Sequence, residues 1–510
     1  MAGAVVNPPV VAPKSAAAER VMDKGLKSGA LGYISNVVIG VASTAPGYSL
    51  AATLGFIAAV AGVGLQSPAV LLVSFIPMLL IAFSYRYMNQ ADPDCGTSFA
   101  WVTRALGPSW GWLAGWAIVM ADVIVMANLA QIAGIYSFLL FRWDSAANST
   151  LAVTAVGVVW IIVMTYICYR GIELSARLQA FLLSAEVFTL ALFAVVALVA
   201  VYANPPDGSL HVNANWLNPL AIDSTGALVN GVLLGLFIYW GWDSGVAVNE
   251  ESRDSATGPG KAAVVSTLLL LAIYVVVAIA AQAYAGPQNL IDNADDVLSY
   301  LGGRVFPHPL DLLLIVAVLT SASASTQTTI LPTARTTLSM ARWGALNKAF
   351  AKVHPRYQTP SFSTILMGVM SVTWFVLIVN LSTNVLEDSI VALGFLIAFY
   401  YGLTGFACAV YYRRELPKSL RNALMLGILP GLGGVLLLGI FVKALIYYGD
   451  PANTSSAGLF GIGVPVVVGL GSMLVGVIIM VALRPSFAPF FKRPREVADP
   501  AVLAQGGPTG

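Results

Sequence analysis

The sequence predicts an all-α polytopic membrane protein of about twelve transmembrane helices, and three observations carry that prediction. The chain is 58% hydrophobic with only 10% charged residues, and its mean hydropathy is +0.81. A soluble chain has no use for so much apolar surface. Runs of about 20 apolar residues, each long enough to cross a bilayer, recur from one end to the other. Lysine and arginine, finally, gather in alternate connections between those runs, the asymmetry expected of membrane loops.

Taken in order, the spans are expected at about 31–62, 67–88, 108–140, 150–170, 176–203, 225–249, 261–285, 309–336, 362–381, 387–412, 424–448 and 459–483. With the N-terminus in the cytoplasm, Lys14 to Lys27, Arg86, Arg104, Arg170, Arg177, Arg253 and Lys261 lie inside. So do the cluster from Arg335 to Arg356, the Arg413–Arg421 group and the basic run from Arg484 to Arg495. Of the 26 Lys and Arg, only Arg142, Arg304 and Lys443 fall outside. The expected setting is a plasma membrane, with both termini cytoplasmic. Residues 1–27 hold Pro, Ala and scattered charges without an apolar core, and read as a disordered tail rather than a cleaved signal. The loops 204–224 and 286–308 are rich in Asn, Asp and Pro, as solvated surface should be. Cys95, Cys168 and Cys408 form no metal-ligand spacing, and a disulfide framework is not expected.

The first span is polar and small at its centre, where residues 38–52 read VIGVASTAPGYSLAA. Pro46 cannot donate to the carbonyl of Ala42 and crowds it, so a helix here kinks or breaks. Gly40 and Gly47 flank it. In hydrocarbon an open backbone survives only where it is buried in protein or lines a watery cavity. The amides that start the second half-helix suit an anion such as a carboxylate. A tolerated proline kink is the plainer alternative.

The sixth span is interrupted as well. Trp240-Gly241-Trp242-Asp243-Ser244-Gly245 places a carboxylate, a hydroxyl and two glycines at membrane depth. Interrupted segments at matching places in two halves of a chain point to a transporter with inverted repeats and a midplane site.

Four stretches carry a resemblance to the amino acid–polyamine–organocation superfamily of secondary transporters. These are MNQADPDCGTSFAWVTRALGPSWGWLAGW after the second span, RGIELSARLQAFLLSAEVFTL opening the fifth, the aromatic–GWD run followed by NEES in the sixth, and TARTTLSMARWGALNKAFAKVHPRYQTP leaving the eighth. The resemblance covers about residues 30–485. It implies a LeuT-like fold: a first repeat in 28–203 (helices 1–5), an extracytoplasmic loop at 204–224, a second repeat in 225–412 (helices 6–10), two further helices in 413–483 and a cytoplasmic tail in 484–510. It also implies alternating access around discontinuous helices 1 and 6. The chain departs from the pattern twice. Ala42-Ser43-Thr44-Ala45-Pro46-Gly47 stands where the family has a Gly-Ser-Gly-like turn, and Glu186 stands where many members carry a lysine.

On this reading the amides of Ser43, Thr44, Ala45 and Gly47 hold a substrate carboxylate, and the carbonyls of Ile238, Tyr239, Trp240 and Gly241 receive its ammonium. Tyr239, Trp240 and Trp242 pack its side chain or close the pocket, or else serve as ordinary helix packing. Intramembrane carboxylates are costly and are read as functional by default. Asp122, Glu186 and Asp243 are accordingly the candidates for proton coupling, Asp243 alternatively tying the sixth-span break together and Glu186 alternatively bonding a neighbouring helix. Glu250 and Glu251 gate or pair with basic loops. Hydroxyls at Ser321 and Ser325, within TSASASTQTT, are candidates for coordinating sodium, or are small residues that let helices pack closely.

The expected function is a permease moving a small-molecule amino acid with a proton, sodium being the alternative coupling ion. A polyamine or organic amine transporter, or an amino acid exchanger, is the runner-up. No catalytic residue, metal site, cofactor or nucleic-acid partner is expected: the three histidines, His211, His308 and His354, lack ligand spacing, and no filter-like loop marks a channel.

Overall fold

Proline and glycine set most of the helix boundaries. The computed structural model describes residues 23–498 apart from 295, 382, 383, 455 and 457. Its long helices are α1 (α1a, Tyr33–Thr44, and α1b, Pro46–Ala59), α2 (Ser67–Ala91), α3 (Pro108–Leu139), α4 (Thr150–Arg170) and α5 (Ile172–Ala203). Then come α6 (α6a, Thr225–Tyr239, and α6b, Ser244–Ala247), α7 (Gly258–Asp292) and α8 (Leu312–Arg342). The last four are α9 (Ser361–Leu381), α10 (Val385–Tyr411), α11 (Leu420–Gly449) and α12 (Val464–Leu483). Proline opens α1b, α3 and α12 within their first two positions, where its missing N–H has no helical partner to lose. Gly107 at φ 108° and Gly171 at φ 132° make the sharp turns into α3 and α5.

The twelve helices match the expected spans, and among the described residues there is no β-strand, only two isolated bridges. The chain is a polytopic membrane protein. One stretch departs from expectation. Residues 286–308, which the composition marks as a solvated loop, are largely helical: Gly286 turns at φ 72°, α7 resumes to Asp292, and a further helix spans Val297–Val305. The Gly286-Pro287 pair reads as a stop, but the glycine absorbs the bend and the proline falls in the first turn of the resumed helix.

Two helices form the axis. The α1 span is 89% buried, whereas α12 is 22% buried and α4 28%. Packed against α1 or α6 are α2, α5, α7, α8 and α10, with α11 touching α6a; α3 packs on α8 and α10, and α4, α9 and α12 lie outside. The outer helices turn large apolar side chains such as Leu151, Phe181 and Ile446 outward, as a lipid-facing surface requires.

Residues 1–22 and 499–510, the far ends of the two expected tails, lie outside the described residues. The near ends pack on the bundle. Lys24 and Leu26 are buried, Phe490 lies against Phe99, and Glu496 pairs with Arg104 at 2.7 Å.

Candidate functional site

The break in α1 is a single residue wide. Ahead of Pro46, α1a ends at Thr44, and Ala45 takes the left-handed conformation φ 48°, ψ 68°. Ser43 and Thr44 close the ladder of α1a, and the Ala45 amide donates back to the Ala42 carbonyl at 3.2 Å. The Gly47 amide donates to Glu186 Oε1 at 2.7 Å, and Ser321 Oγ donates to the same oxygen at 2.8 Å while accepting the Tyr48 amide at 3.1 Å. The anion at the positive end of α1b is therefore the protein's own carboxylate. None of the four amides assigned from the sequence to a substrate carboxylate is left free. The reversed charge at position 186 follows from the same geometry: Gly47 and Ser321 are donors, which an ammonium cannot accept.

The break in α6 is longer. After Tyr239 the backbone extends at Trp240, turns through Gly241 at φ 117° and re-enters helix at Ser244. The Ile238 carbonyl accepts the Tyr274 hydroxyl of α7 at 2.6 Å, and the Gly241 carbonyl accepts the Ser244 amide at 3.0 Å. Those of Tyr239 and Trp240 take no hydrogen bond among the described residues. At the α1 break the backbone donors are used, whereas at the α6 break the carbonyls of Tyr239 and Trp240 and the amides of Gly241, Trp242 and Asp243 take no hydrogen bond among the described residues.

The breaks meet directly. Ser43 Oγ lies 2.8 Å from Ser244 Oγ, and Ser325 Oγ of α8 donates to the Ser43 carbonyl at 2.9 Å. A methyl group on Gly241 would come within 2.8 Å of the Ser43 carbonyl oxygen, and one on Gly245 within 2.5 Å of that of Asn36. The Leu31 amide and carbonyl also bond across to Glu251 and Arg253, joining the start of α1a to the chain beyond α6b.

The aromatic residues divide. The Trp242 ring is buried against Tyr85 of α2 (4.9 Å) and Tyr401 of α10 (5.3 Å). Tyr239 stands edge-on to Tyr274 at 5.1 Å, and the Trp240 indole donates to the Tyr400 hydroxyl. Tyr400 and Tyr85 in turn donate to Asp243 Oδ2 at 3.2 and 3.3 Å, which ties the α6 break to α10 and α2.

The three candidate acids form two groups. Asp122 of α3 accepts Thr333 Oγ1 of α8 at 2.5 Å and is close enough to Asp243 for their charges to interact. Glu186 sits apart, behind α1b. Exposure is 3% for Asp122, 0% for Glu186 and 6% for Asp243. Among the described residues none of the three has a salt bridge. Of the hydroxyls assigned to a cation, Ser321 bonds Glu186 and Ser325 bonds Ser43, so both face the α1 break.

The acids at the basic end of the bundle are paired. Arg335, inside α8, grips Glu251 with two bonds of 2.6 and 2.8 Å. Lys24 bridges Asp94 (3.0 Å) and Glu250. The carboxylates of Asp94 and Glu250 and the Cys95 thiol converge within 4.8 Å, a cluster invisible in the spacing of the chain, and the Lys24 ammonium is its cation. Burial opposes ionisation of Asp94, but Lys24 together with donation from Ser339, Gly96 and Trp343 outweighs it and holds the carboxyl down at about 2.

Sequence reasoning misses Tyr274, Tyr85, Tyr400, Thr333 and Lys24. The tyrosines sit in apolar helices with no local pattern to mark them, Thr333 opens the quoted TARTT stretch without anything there to pair it with Asp122, and Lys24 reads as part of the tail.

The profile of the amino acid permease family matches residues 30–387. An uncharacterized transporter of Mycobacterium tuberculosis is 28% identical over 344 residues, 67% of this chain and 72% of its own length. The vacuolar cationic amino acid transporter 4 of Arabidopsis thaliana is 26% identical over 67% of this chain and 56% of its own. The low-affinity putrescine importer PlaP of Escherichia coli is 21% identical over 72% of this chain and 79% of its own. With its two paired breaks and twelve spans, this chain belongs to the amino acid permease family, whose LeuT-like fold it fits.

Proposed function

We propose that this protein is a secondary carrier for amine-bearing solutes, cationic amino acids first and diamines second, working by alternating access around the α1 and α6 breaks. One observation carries the reading: Asp122, Glu186 and Asp243 are buried at membrane depth with no basic side chain to neutralise them among the described residues. Uncompensated carboxylates in a low-dielectric interior call for a cation, which a proton or a substrate ammonium supplies. The free carbonyls of Tyr239 and Trp240 add acceptors beside Asp243. The α1b helix start, already capped by Glu186, holds less attraction for a substrate carboxylate than its sequence suggests. The names of two relatives, a cationic amino acid transporter and a putrescine importer, agree with that balance.

In the proposed cycle the substrate amine lies between the α6 carbonyls and the Asp122–Asp243 pair, and Glu186 carries the coupling proton. Protonating Glu186 weakens its bonds to Gly47 and Ser321, because a charge-assisted bond is roughly twice as strong as a neutral one. That loosens α1b from α5 and α8. The distribution of basic residues supports cytoplasmic termini in a plasma membrane.

Uptake of labelled lysine into proteoliposomes, with unlabelled competitors, tests the substrate class. Arginine and putrescine should compete, and leucine should compete at least tenfold more weakly. Equal competition by leucine with none by putrescine would return the site to a carboxylate-reading one.

A further inference from the structure

The molecule has a second built concavity, on its outer surface and away from the helix breaks. Between α4 and α9 runs a groove of about 530 Å³, lined by Ile161, Tyr166, Tyr169, Ile365, Gly368 and Val372. Its floor is set by Gly368, where an added methyl would come within 2.6 Å of Thr165 Oγ1. The walls are apolar and stand in the lipid-facing belt, with Ile162, Tyr166, Ile365 and Val369 all exposed.

At its basic end the groove meets a polar cavity of about 360 Å³, built where α4 turns into α5 and the chain approaches α9. Arg170, Arg177 and Arg356 line it, and among the described residues none of the three has a salt bridge. Lys27 lines it too but is already paired with Glu173 at 2.8 Å. The first residues of α5, Ile172 to Leu174, complete the wall, and that helix start has no side-chain cap. The two compartments share a hinge residue pair. Arg170 Nη1 donates to the Tyr166 hydroxyl at 2.6 Å, so an arginine of the cavity rests on a ring of the groove.

From this we infer that the α4–α9 face binds one anionic phospholipid, its phosphate in the arginine cavity and an acyl chain in the groove. The cavity also holds the Glu173 carboxylate, in the first turn of α5 and paired with Lys27, but Arg170, Arg177 and Arg356 outnumber it and leave a positive balance that favours an anion. A chain rather than a free phosphate is favoured because the apolar groove in the lipid-facing belt adjoins the cavity, their walls touching at Arg170–Tyr166 and Tyr169–Tyr357. Basic cavities between membrane helices are suited to headgroups in this way. The site lies on the outer helices, so the lipid would steady α4 and α9, against which α3 and α8 pack.

The test uses the full chain, purified in a neutral detergent and titrated with phosphatidylglycerol or phosphatidylcholine while bound lipid is counted by native mass spectrometry. Wild type should retain one phosphatidylglycerol in preference to phosphatidylcholine. Arg177→Gln and Arg356→Gln, both at exposed positions, should each lower that retention about fivefold, the worth of one basic residue near a charged lipid surface, and together about 25-fold. Val369→Trp, which fills the groove without touching the arginines, should lower it as well. Equal retention of the two lipids by wild type overturns the proposal. So does undiminished retention in the double arginine variant, or displacement of the lipid by millimolar inorganic phosphate, which would make the cavity a soluble-anion site.

Discussion

At Glu186 one carboxylate oxygen serves two donors from two different elements, the Gly47 amide at the start of α1b and the Ser321 hydroxyl of α8. Its other oxygen is buried without a partner among the described residues, which leaves room for a proton. Glu186→Gln keeps the shape and removes the charge, at a cost of about 1–2 kcal/mol in the tie. Uptake by this variant should lose its pH dependence between pH 5 and 8, while exchange in the absence of a proton gradient continues. An unchanged pH profile would remove Glu186 from the coupling step and leave it a structural cap. Gly241 is constrained more simply. Its φ of 117° and the 2.8 Å approach to Ser43 leave no space for a methyl group. Gly241→Ala should therefore push α6 away from α1, with about 1–3 kcal/mol lost in stability and uptake reduced at least tenfold. Wild-type transport by that variant would mean that the contact between the breaks is not needed for the cycle.

At the scale of elements, the basic end of the bundle is closed by ion pairs whose members come from four segments: Lys24 before α1, Asp94 between α2 and α3, Glu250 and Glu251 after α6b, and Arg335 in α8. Glu251 is fully buried and Arg335 is 2% exposed, so removing one partner strands a buried charge. Arg335→Met should cost about 3–5 kcal/mol, read as a fall in thermal midpoint, and adding Glu251→Gln should return most of it. Failure of the second substitution to restore stability would show that Arg335 matters for its contacts with α8 and not for its charge. The Asp94 carboxyl, held down at about 2, adds stability that is complete above its unfolded pKa of about 4 and drains away as pH falls toward 2. Asp94 is consequently charged at every pH near neutrality, whereas burial, only partly offset by Lys24, pushes the neighbouring Glu250 carboxyl above its ordinary range.

These elements also mark where the sequence stops being informative. The α1 and α6 breaks are legible because Pro46 and the glycines around Trp240 interrupt apolar runs, and local backbone chemistry is enough to place them. That the breaks touch, and that Glu186 fills the helix start expected to hold a substrate, depends on α5 and α8 lying beside α1, which no spacing along the chain encodes. Lys24 is hidden for the same reason. Seventy residues separate it from Asp94, and composition alone assigns it to a tail.

For the whole molecule, the two halves are joined at one end by the Leu31 bonds to Glu251 and Arg253 and by Lys24, while the breaks stay in contact at mid-depth. The alternating access proposed above requires that the basic end open without tearing the breaks apart, and Lys24 bridges two segments of that closure, Asp94 and Glu250. A native reporter sits beneath it. Cys95 is fully buried, its amide donates to Glu250 at 2.9 Å and its thiol lies 3.6 Å from the Arg335 backbone carbonyl oxygen. Cys168 and Cys408 are buried elsewhere and serve as internal controls. Lys24→Gln removes two charge-assisted bonds, each worth about 1.5–3 kcal/mol, and shifts the population toward a form open at this end. Maleimide labelling of Cys95 should then be at least tenfold faster than in wild type, with the rates at Cys168 and Cys408 unchanged. If all three cysteines quicken together, the substitution has loosened the fold at large. If Cys95 keeps its wild-type rate, Lys24 does not hold this end shut and the closure is carried by Arg335 and Glu251.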